Sequence, residues 1–455
     1  MEAISRPCSS PNGICTRKSG RPFHQNVHLA VGSRPTRFAS SRAAAAAASG
    51  SEFDVVVVGA GIIGLTIANR FLTSSDLSVA VVDSRVPCSG ATGAGQGYIW
   101  MGHKKPGSEL WQLAMRSKQL WEELAETIRD QGSDPLHVLG WKRTGSLLVG
   151  RSSEELETLK ERVVLLKNAG LRAEYLCGNS LRSEEPALGE VEGAALVLDD
   201  CQLDAHLTVE FILKGNRSFG LQGRYAEFFN DPVVSLCRSE SSGEVEGVQT
   251  SGNILKARRA VVVAAGAWSR ALMRSLLTGS NSMLDIPVKP RKIHILGGEF
   301  SPNSVSETNP SPLGHLLIIK NFNKLQLNHG VMEVGYIDHQ IATQAPASSA
   351  SEPPEHEQSL SSISMTATID MFGNLVLVDG GKPIISNIPG LPTVLLATGH
   401  EGGGLCMALG TAEMVCNMVL GNPGKVDWAP FSVQERYLRL LHVAELYKWK
   451  FRNMK

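Results

Sequence analysis

The sequence lacks long hydrophobic runs and an excess of charge of one sign. No stretch of about 18 consecutive apolar residues occurs among its 455 residues, so we expect no transmembrane segment. The 44 basic residues balance the 44 acidic ones, and the basic residues are scattered along the chain. The electrostatic pattern of nucleic-acid binding is therefore missing.

Paired cysteines are also missing. The eight cysteines form no CxxC pair and have no spacing with histidine that is typical of a zinc site. They predict free thiols in a reducing compartment and no metal. The cysteines are Cys8, Cys15, Cys88, Cys177, Cys201, Cys237, Cys406 and Cys416.

Residues 1–51 have the composition of an organelle-import segment. Up to Gly50, one acidic residue, Glu2, stands against seven basic ones, with frequent serine and a run of alanine. A secretory signal would need a continuous apolar core, which polar residues interrupt here. We therefore expect a disordered transit peptide that directs the protein to the chloroplast, with the mitochondrion as the alternative.

A dinucleotide-binding pattern follows at once. Four valines at residues 55–58 precede Gly59-Ala60-Gly61-Ile62-Ile63-Gly64, which is GxGxxG between a strand and a helix. In this pattern the first glycine makes the turn, the second admits a pyrophosphate and the third lets the helix pack on the strand. A second strand at residues 77–82 leads to Asp83, an acid at the position expected to bind ribose hydroxyls. The pattern predicts a cofactor that contains an adenine dinucleotide.

Three further segments are rich in small residues. They are a loop at residues 89–97, a buried strand at 261–263 that runs into AAGAWS, and a strand at 394–397 that runs into TGHEGGG and a helix. The loop alone could be a flexible linker. Together with the first pattern, however, glycine-rich strand ends are typical of a flavoprotein.

These motifs resemble the D-amino acid oxidase family of FAD-dependent oxidoreductases. The resemblance rests on the Gly59 pattern, SGATG at 89–93, VVAAGAWS at 262–269 and ATGHEGGGL at 397–405. The sequence is most similar to the branch of glycine oxidases, sarcosine oxidases and hydroxyproline dehydrogenases, and its import segment suits a plastid member in plants.

The resemblance implies an α/β fold with a Rossmann-type βαβ domain that binds FAD and an α+β substrate domain with an antiparallel sheet. The FAD-binding domain is expected at 52–140, 193–285 and 379–440, and the substrate domain at 141–192 and 286–378. Residues 293–313 resemble an inserted loop, and 441–455 form a C-terminal tail. Periodicity predicts helices at 108–131 and 153–170 and strands at 141–150 and 326–337.

The resemblance also implies a site for non-covalently bound FAD. It places the pyrophosphate at the first glycine pattern, the adenine against Val233 and the flavin against residues 399–405, where N–H groups at a helix start favour negative charge. His400 is a candidate for a catalytic role, or alternatively a turn residue bonded to backbone. The implied cofactor-binding residues are Gly59, Ala60, Gly61, Ile62, Ile63, Gly64, Asp83, Ser84, Ser89, Ala91, Thr92, Gln96, Gly97, Val233, Ala265, Gly266, Trp268, Gly399, His400, Gly402, Gly403, Gly404 and Leu405.

The implied reaction is hydride transfer to flavin from the carbon next to the nitrogen of a small amino or imino acid, with oxygen or a quinone as the electron acceptor. Members of the family hold the substrate carboxylate with an arginine in a segment resembling RPxxPDGxPxIG. Here Leu377 continues directly into Val378 and Asp379, so DGxP is present and the arginine is missing.

The missing arginine and the insertion leave three hypotheses open. The chain is an FAD-dependent enzyme of amino acid oxidation, a flavin-binding organellar assembly or scaffold protein, or an inactive splice variant or faulty gene model. Sequencing of transcripts across Lys292 and Leu377 tests the third.

Overall fold

A computed structural model describes residues 50–150, 152–184, 192–277, 286, 288 and 382–435, together with the backbone of short strands between 316 and 379. The predicted transit peptide as far as residue 49, the predicted inserted loop and the predicted C-terminal tail lie outside these residues, whereas Ser51, which is expected to end the transit peptide, begins a strand.

The chain alternates strands and helices in its first part and is dominated by strands in its middle. The strands are β1 (Ser51–Val58), β2 (Val79–Asp83), β3 (Tyr98–Ile99), β4 (Ser146–Gly150), β5 (Ala173–Cys177), β6 (Gly193–Val197), β7 (Cys201–Gln202), β8 (Tyr225–Phe229), β9 (Val233–Arg238), β10 (Val245–Thr250), β11 (Ile254–Val263), β12 (Leu316–Ile319), β13 (Leu325–Leu327), β14 (Gly330–Met332), β15 (Met365–Ile369), β16 (Leu375–Asp379), β17 (Ile384–Ile388) and β18 (Leu391–Thr398). The helices are α1 (Ile62–Ser74), α2 (Glu109–Asp130), α3 (Pro135–Leu139), α4 (Ser153–Asn168), α5 (Gly178–Glu184), α6 (Ala205–Ser218), α7 (Ser269–Leu276) and α8 (Gly404–Leu420).

The largest sheet has eight strands, with the order β17-β18-β11-β1-β2-β8 and with β10 and β9 attached beside β11. Strands β18, β11, β1, β2 and β8 run parallel, and β17 is antiparallel to β18. A parallel sheet with helical crossovers is the Rossmann arrangement, so the predicted α/β fold is confirmed.

Strand β1 is buried on both faces of this sheet. Val55 and Val57 pack in the hydrophobic core that contains α1 and α8, whereas Val56 and Val58 pack in a second core on the opposite face. A strand covered on both faces favours a continuous apolar run over an alternating one. This explains the four consecutive valines.

A second sheet has the order β12-β4-β6-β5. Strands β4, β6 and β5 pair antiparallel and β12 is parallel to β4. Helix α4 contributes Leu159, Val163 and Leu166 to the core.

Two strand predictions need correction. The strand expected at 141–150 begins only at Ser146, because Gly145 has a positive φ of 69° and ends the extended segment before it. The segment expected as one strand at 326–337 contains two short strands, β13 and β14, within the described residues. Here the chain reverses, so that Leu327 of β13 pairs with Gly330 of β14 in a hairpin.

The segment Glu401–Leu420, which is α8 and the helical turn before it, is long and apolar enough to cross a membrane by length and composition. However, 61% of its apolar window is buried inside the structure, where α8 packs against α1 and α2. Its burial is that of a core helix.

The carboxylate of Glu413 joins α8 to both neighbouring helices. Arg116 of α2 donates to it twice at 2.7 Å, and Arg70 of α1 donates at 3.2 Å. The side chain of Glu413 is 9% exposed. The hydrogen bonds from Arg116 lower the pKa of Glu413 even though burial opposes this, so the carboxylate stabilises the folded state in its charged form.

We predict that Glu413→Gln lowers the free energy of unfolding by about 2 kcal/mol at pH 7, because the two guanidinium groups lose a buried charged partner. Urea denaturation measures the change. Since the folded state lowers the pKa of Glu413, its contribution is present above the ordinary value of 4.5 and is lost as the pH falls below it. The difference between wild type and variant should therefore shrink in acid.

The matched control is Glu126→Gln on α2. Glu126 forms an exposed pair with Arg129 at 2.6 Å, and exposed pairs contribute little to stability. An equal loss in both variants would contradict the assigned role of Glu413.

Candidate active site

The predicted cofactor motifs come together at one edge of the large sheet. Strands β1, β2, β11 and β18 end there, at Val58, Asp83, Val263 and Thr398, because parallel strands place their carboxyl ends on the same side. In open α/β sheets ligands bind at this edge.

The three glycines of the first pattern serve different purposes. Gly59 has a φ of +119°, and a Cβ on it would lie 2.4 Å from the carbonyl oxygen of Ala264. A Cβ on Gly64 would lie 1.9 Å from the carbonyl oxygen of Gly59. At Gly61 the nearest atom would be the Thr92 hydroxyl oxygen at 3.2 Å. The fold itself thus requires Gly59 and Gly64, whereas Gly61 presents bare backbone to the sheet edge.

The start of α1 is bonded to the loop at residues 89–97. The N-cap residue Gly61 offers no side chain, and the N–H of Ile62 donates instead to the Thr92 hydroxyl at 3.0 Å. The exposed N–H groups and positive end of a helix dipole favour an anion at this point. The predicted residues at Gly61, Ile62 and Thr92 are therefore neighbours.

The same loop contacts two other predicted motifs. A Cβ on Gly90 would lie 3.2 Å from the ring of Trp268, and one on Gly95 would lie 2.8 Å from a methyl of Leu405. Beyond them, the carbonyl of Gly97 accepts from Leu203 N–H at 2.9 Å. The loop therefore lies between the ends of β11 and β18 rather than acting as a free linker. Ser89, Ala91 and Gln96 are exposed along it.

The Asp83 carboxylate lies at the end of β2, beside the first glycine pattern. It accepts from the N–H of Ala60 at 2.7 Å and from the N–H of Arg85 at 2.8 Å. Its backbone carbonyl accepts from Asp231 N–H at 3.0 Å, which places the start of β9 and Val233 nearby. Ser84 is exposed between these groups. This grouping is consistent with the expected adenosine end of the site.

Two hydroxyl groups connect the ends of β11 and β18. Ser269 donates to the Thr398 hydroxyl at 2.9 Å, and that hydroxyl donates to the carbonyl of Gly266 at 2.9 Å. Ser269 and Thr398 are both buried. Next to them, Ala265 is half-buried and the indole of Trp268 is 54% exposed at the sheet edge.

His400 points into the core. It is 6% exposed, and its Nε2 lies 2.9 Å from the Thr411 hydroxyl. Burial lowers the pKa of His400 to about 3, so the imidazole is neutral at physiological pH. Its partner is a side chain, not the backbone partner that the turn alternative predicted. This placement gives no support to a catalytic base at His400. The glycines Gly402, Gly403 and Gly404 follow at the start of α8.

A buried carboxylate lies behind the loop. Asp200 is fully buried and accepts from Met101 N–H at 2.6 Å, Gly102 N–H at 3.2 Å and the Ser146 hydroxyl at 2.6 Å. Burial raises the pKa of Asp200 although these bonds oppose the rise. Asp200 fixes the segment after β3 to β4 of the second sheet.

The sequence predictions missed Ser269, Thr398, Thr411 and Asp200. Ser269 and Thr398 lie inside the motifs at 262–269 and 397–405 but had no assigned role, whereas Asp200 and Thr411 lie outside every motif. Each side chain bonds to another protein segment and not to the expected ligand. One signal in the sequence could have found such residues, namely a polar residue inside an apolar element, as with Thr411 in α8. A polar side chain that is buried there needs a hydrogen-bond partner.

Comparison with known proteins assigns the family. Residues 54–418 match the model of the DAO family, FAD-dependent oxidoreductases. A glycine oxidase of Bacillus licheniformis is 25% identical over 399 residues, which cover 84% of this chain and 97% of that protein. The chain belongs to the DAO family of FAD-dependent oxidoreductases.

Solved structures agree on the fold. Glycine oxidase from Geobacillus kaustophilus superposes with a TM-score of 0.59 at 20% identity, over 84% of this chain and 98% of that one. L-proline dehydrogenase from P. horikoshii gives 0.58 at 18% identity, over 86% and 99%.

The described residues fit an FAD molecule at the sheet edge. The helix start at Ile62 and the bare backbone of Gly61 suit a pyrophosphate, and Asp83 lies where a ribose is expected. A Cβ on Gly266 would meet no atom within 4 Å, so space is open beside the end of β11. When bound, FAD supplies the capacity to accept two electrons.

We predict different effects for two glycine substitutions. Gly61→Ala should leave the unfolding transition of the apoprotein within about 0.5 kcal/mol of wild type, because its φ is −77° and its new methyl meets only a hydroxyl. Yet the methyl occupies the approach of the pyrophosphate, so FAD affinity, measured by flavin fluorescence, should fall more than about tenfold.

Gly64→Ala is the comparison, because its methyl would collide with the backbone carbonyl of Gly59. It should lower the stability of the apoprotein itself. If Gly61→Ala destabilised the apoprotein as much as Gly64→Ala does, Gly61 would be a structural glycine and not a binding one.

Proposed function

We propose that this protein oxidises the C–N bond of a small amino or imino acid, with hydride transfer from the carbon next to nitrogen to non-covalently bound FAD. The observation that carries the proposal is the convergence of the ends of β1, β2, β11 and β18 on the start of α1. The similarity of the chain to glycine oxidase and to L-proline dehydrogenase also supports it, because the names of those proteins give an amino acid and an imino acid as substrates.

The chain's own residues would bind and orient the reactants. The backbone at Gly61 and Ile62 would hold the pyrophosphate, Asp83 the ribose, and the start of α8 the flavin. Hydride transfer needs little acid–base assistance, so the neutral, buried His400 is compatible with it. The main requirement is a fixed geometry in a site that excludes water.

A flavin-binding scaffold protein is the second candidate. One observation favours it: strand β16 continues through Leu377 to Asp379, without the arginine segment that the family resemblance places there. In the family pattern that arginine binds the substrate carboxylate in a bidentate manner. A chain without it could keep the cofactor and lose turnover, as could an inactive splice variant.

A test that separates these candidates starts with expression of residues 52–455 and a visible absorption spectrum. We predict a flavin spectrum near one per chain, bleached anaerobically by at least one of glycine, sarcosine, proline or a D-amino acid. Gly61→Ala is the control, because it should lower the amount of bound flavin while the protein still folds.

The other outcomes favour the alternatives. Bound flavin that no amine reduces would contradict the enzyme and support the scaffold. Colourless or aggregated wild-type protein would contradict both and support a misprocessed product, since missing substrate-domain strands leave apolar faces uncovered. If an amine does reduce the bound flavin, reoxidation of the flavin by air, or only by a quinone, would identify the electron acceptor.

We further propose that residues 1–51 direct the protein to the chloroplast. The support is their single acid, seven bases and frequent serine. A fluorescent protein fused after residue 51 should enter chloroplasts, and a variant with the seven basic residues changed to glutamine should stay in the cytosol. Entry into mitochondria would support the alternative, and cytosolic signal from the unmodified fusion would contradict import.

A further inference from the structure

The turn between β18 and α8 has an unusual backbone. Gly399 and Glu401 both have positive φ angles, +74° and +48°, and His400 lies between them with a φ of −72°. A positive φ is ordinary for glycine, but it costs a residue such as glutamate about 1 kcal/mol. Such a conformation persists only where surrounding contacts enforce it.

Side-chain hydrogen bonds tie this turn at both ends. On one side of Gly399, the Thr398 hydroxyl is bonded to Ser269 and to Gly266. On the other side, His400 is bonded to Thr411 at 2.9 Å, eleven residues further on in α8. The carbonyl of His400 also accepts from Gly403 N–H at 3.0 Å. Both ends of the turn are therefore attached to buried groups.

We propose that His400 and Thr411 are positioning residues that hold the turn at 399–404 in one conformation. The bond between them would thereby fix the N–H groups at the start of α8 against the flavin. The proposal rests on FAD as the cofactor and on the orientation that the family resemblance implies. It gives His400 a role through Thr411, with no contact to the reacting atoms.

The surroundings of His400 suit this role. The imidazole is neutral, because burial lowers its pKa to about 3, and a neutral ring adds no charge next to the flavin. Thr411 is fully buried, so water cannot replace a lost partner. A loosened turn would let the donors at the helix start move away from the flavin.

The consequence is a change in reduction potential. Donors at a helix start stabilise negative charge, and reduction of FAD adds negative charge at the pyrimidine edge. Loss of the His400–Thr411 bond should therefore weaken the binding of reduced FAD more than that of oxidised FAD. If the variant loses ten times more affinity for reduced FAD than for oxidised FAD, its reduction potential is about 30 mV more negative than that of wild type for this two-electron couple.

The test compares wild type with Thr411→Val in the full-length chain loaded with FAD. The substitution keeps the shape of the side chain and removes the hydroxyl. The potential is measured by equilibration with a reference dye and a chemical reductant, so that no amine substrate is needed. We expect about a tenfold change in the ratio of affinities, and Thr411→Ser, which keeps the hydroxyl, should stay within about twofold of wild type.

Two further variants make the result specific. His400→Phe keeps a ring and removes the nitrogen, so it should shift the potential as Thr411→Val does. The double variant should shift it no further, because both changes remove one bond. Thr208→Val is the matched control: the Thr208 hydroxyl is also buried and donates to the Leu139 carbonyl at 3.2 Å, and this bond joins α6 to α3 and involves neither the turn nor α8.

Each result decides the proposal. A lowered unfolding temperature with an unchanged potential in Thr411→Val would overturn it and leave a purely structural bond. The same shift in Thr208→Val would also overturn it. If the wild type takes up no FAD, the proposal falls together with the proposed function. If it takes up FAD that no amine reduces, the proposed function alone fails, and the potentials still test the turn.

Discussion

The structure depends on the close approach of α1 to β1, at which the backbone of Gly64 lies against the carbonyl of Gly59. No residue with a side chain can be placed at that contact. It sets the angle at which the helix leaves the sheet, and so directs the N–H of Ile62 to the edge where β2, β11 and β18 also end. The contacts of Thr92, Asp83 and Ala264 with this segment follow from that angle.

The parts of the fold that can be predicted from the sequence are those in which a short run of neighbouring residues meets a physical requirement of one helix or strand. Four valines predict β1, because a strand buried on both faces has no polar side. Ser108, predicted as a helix start, caps α2 by accepting from Trp111 N–H at 3.2 Å. The position of Asp83 after β2 predicts a carboxylate at the sheet edge, and the structure has it there.

The remaining features depend on contacts between distant segments. Thr411 meets His400 only because a turn and a helix are folded against each other, and the burial of Asp200 depends on β4, which precedes it by some fifty residues. The strand expected at 141–150 begins only after Gly145, and the positive φ of that glycine cannot be read from its residue type alone. The reversal between β13 and β14 does leave a signal, since Asn328 and Gly330 are residues that favour turns, but the prediction of one continuous strand passes over it.

The pairing of strands also determines when the large sheet can be completed during synthesis of the chain. In the large sheet β1 lies between β2 and β11, and β11 pairs with β18, whose residues follow those of β1 by more than three hundred positions. The helix that covers β1 and α1 extends to Leu420. During synthesis the nucleotide-binding edge therefore stays incomplete until that residue has left the ribosome, and the early strands need protection from non-native pairing until then.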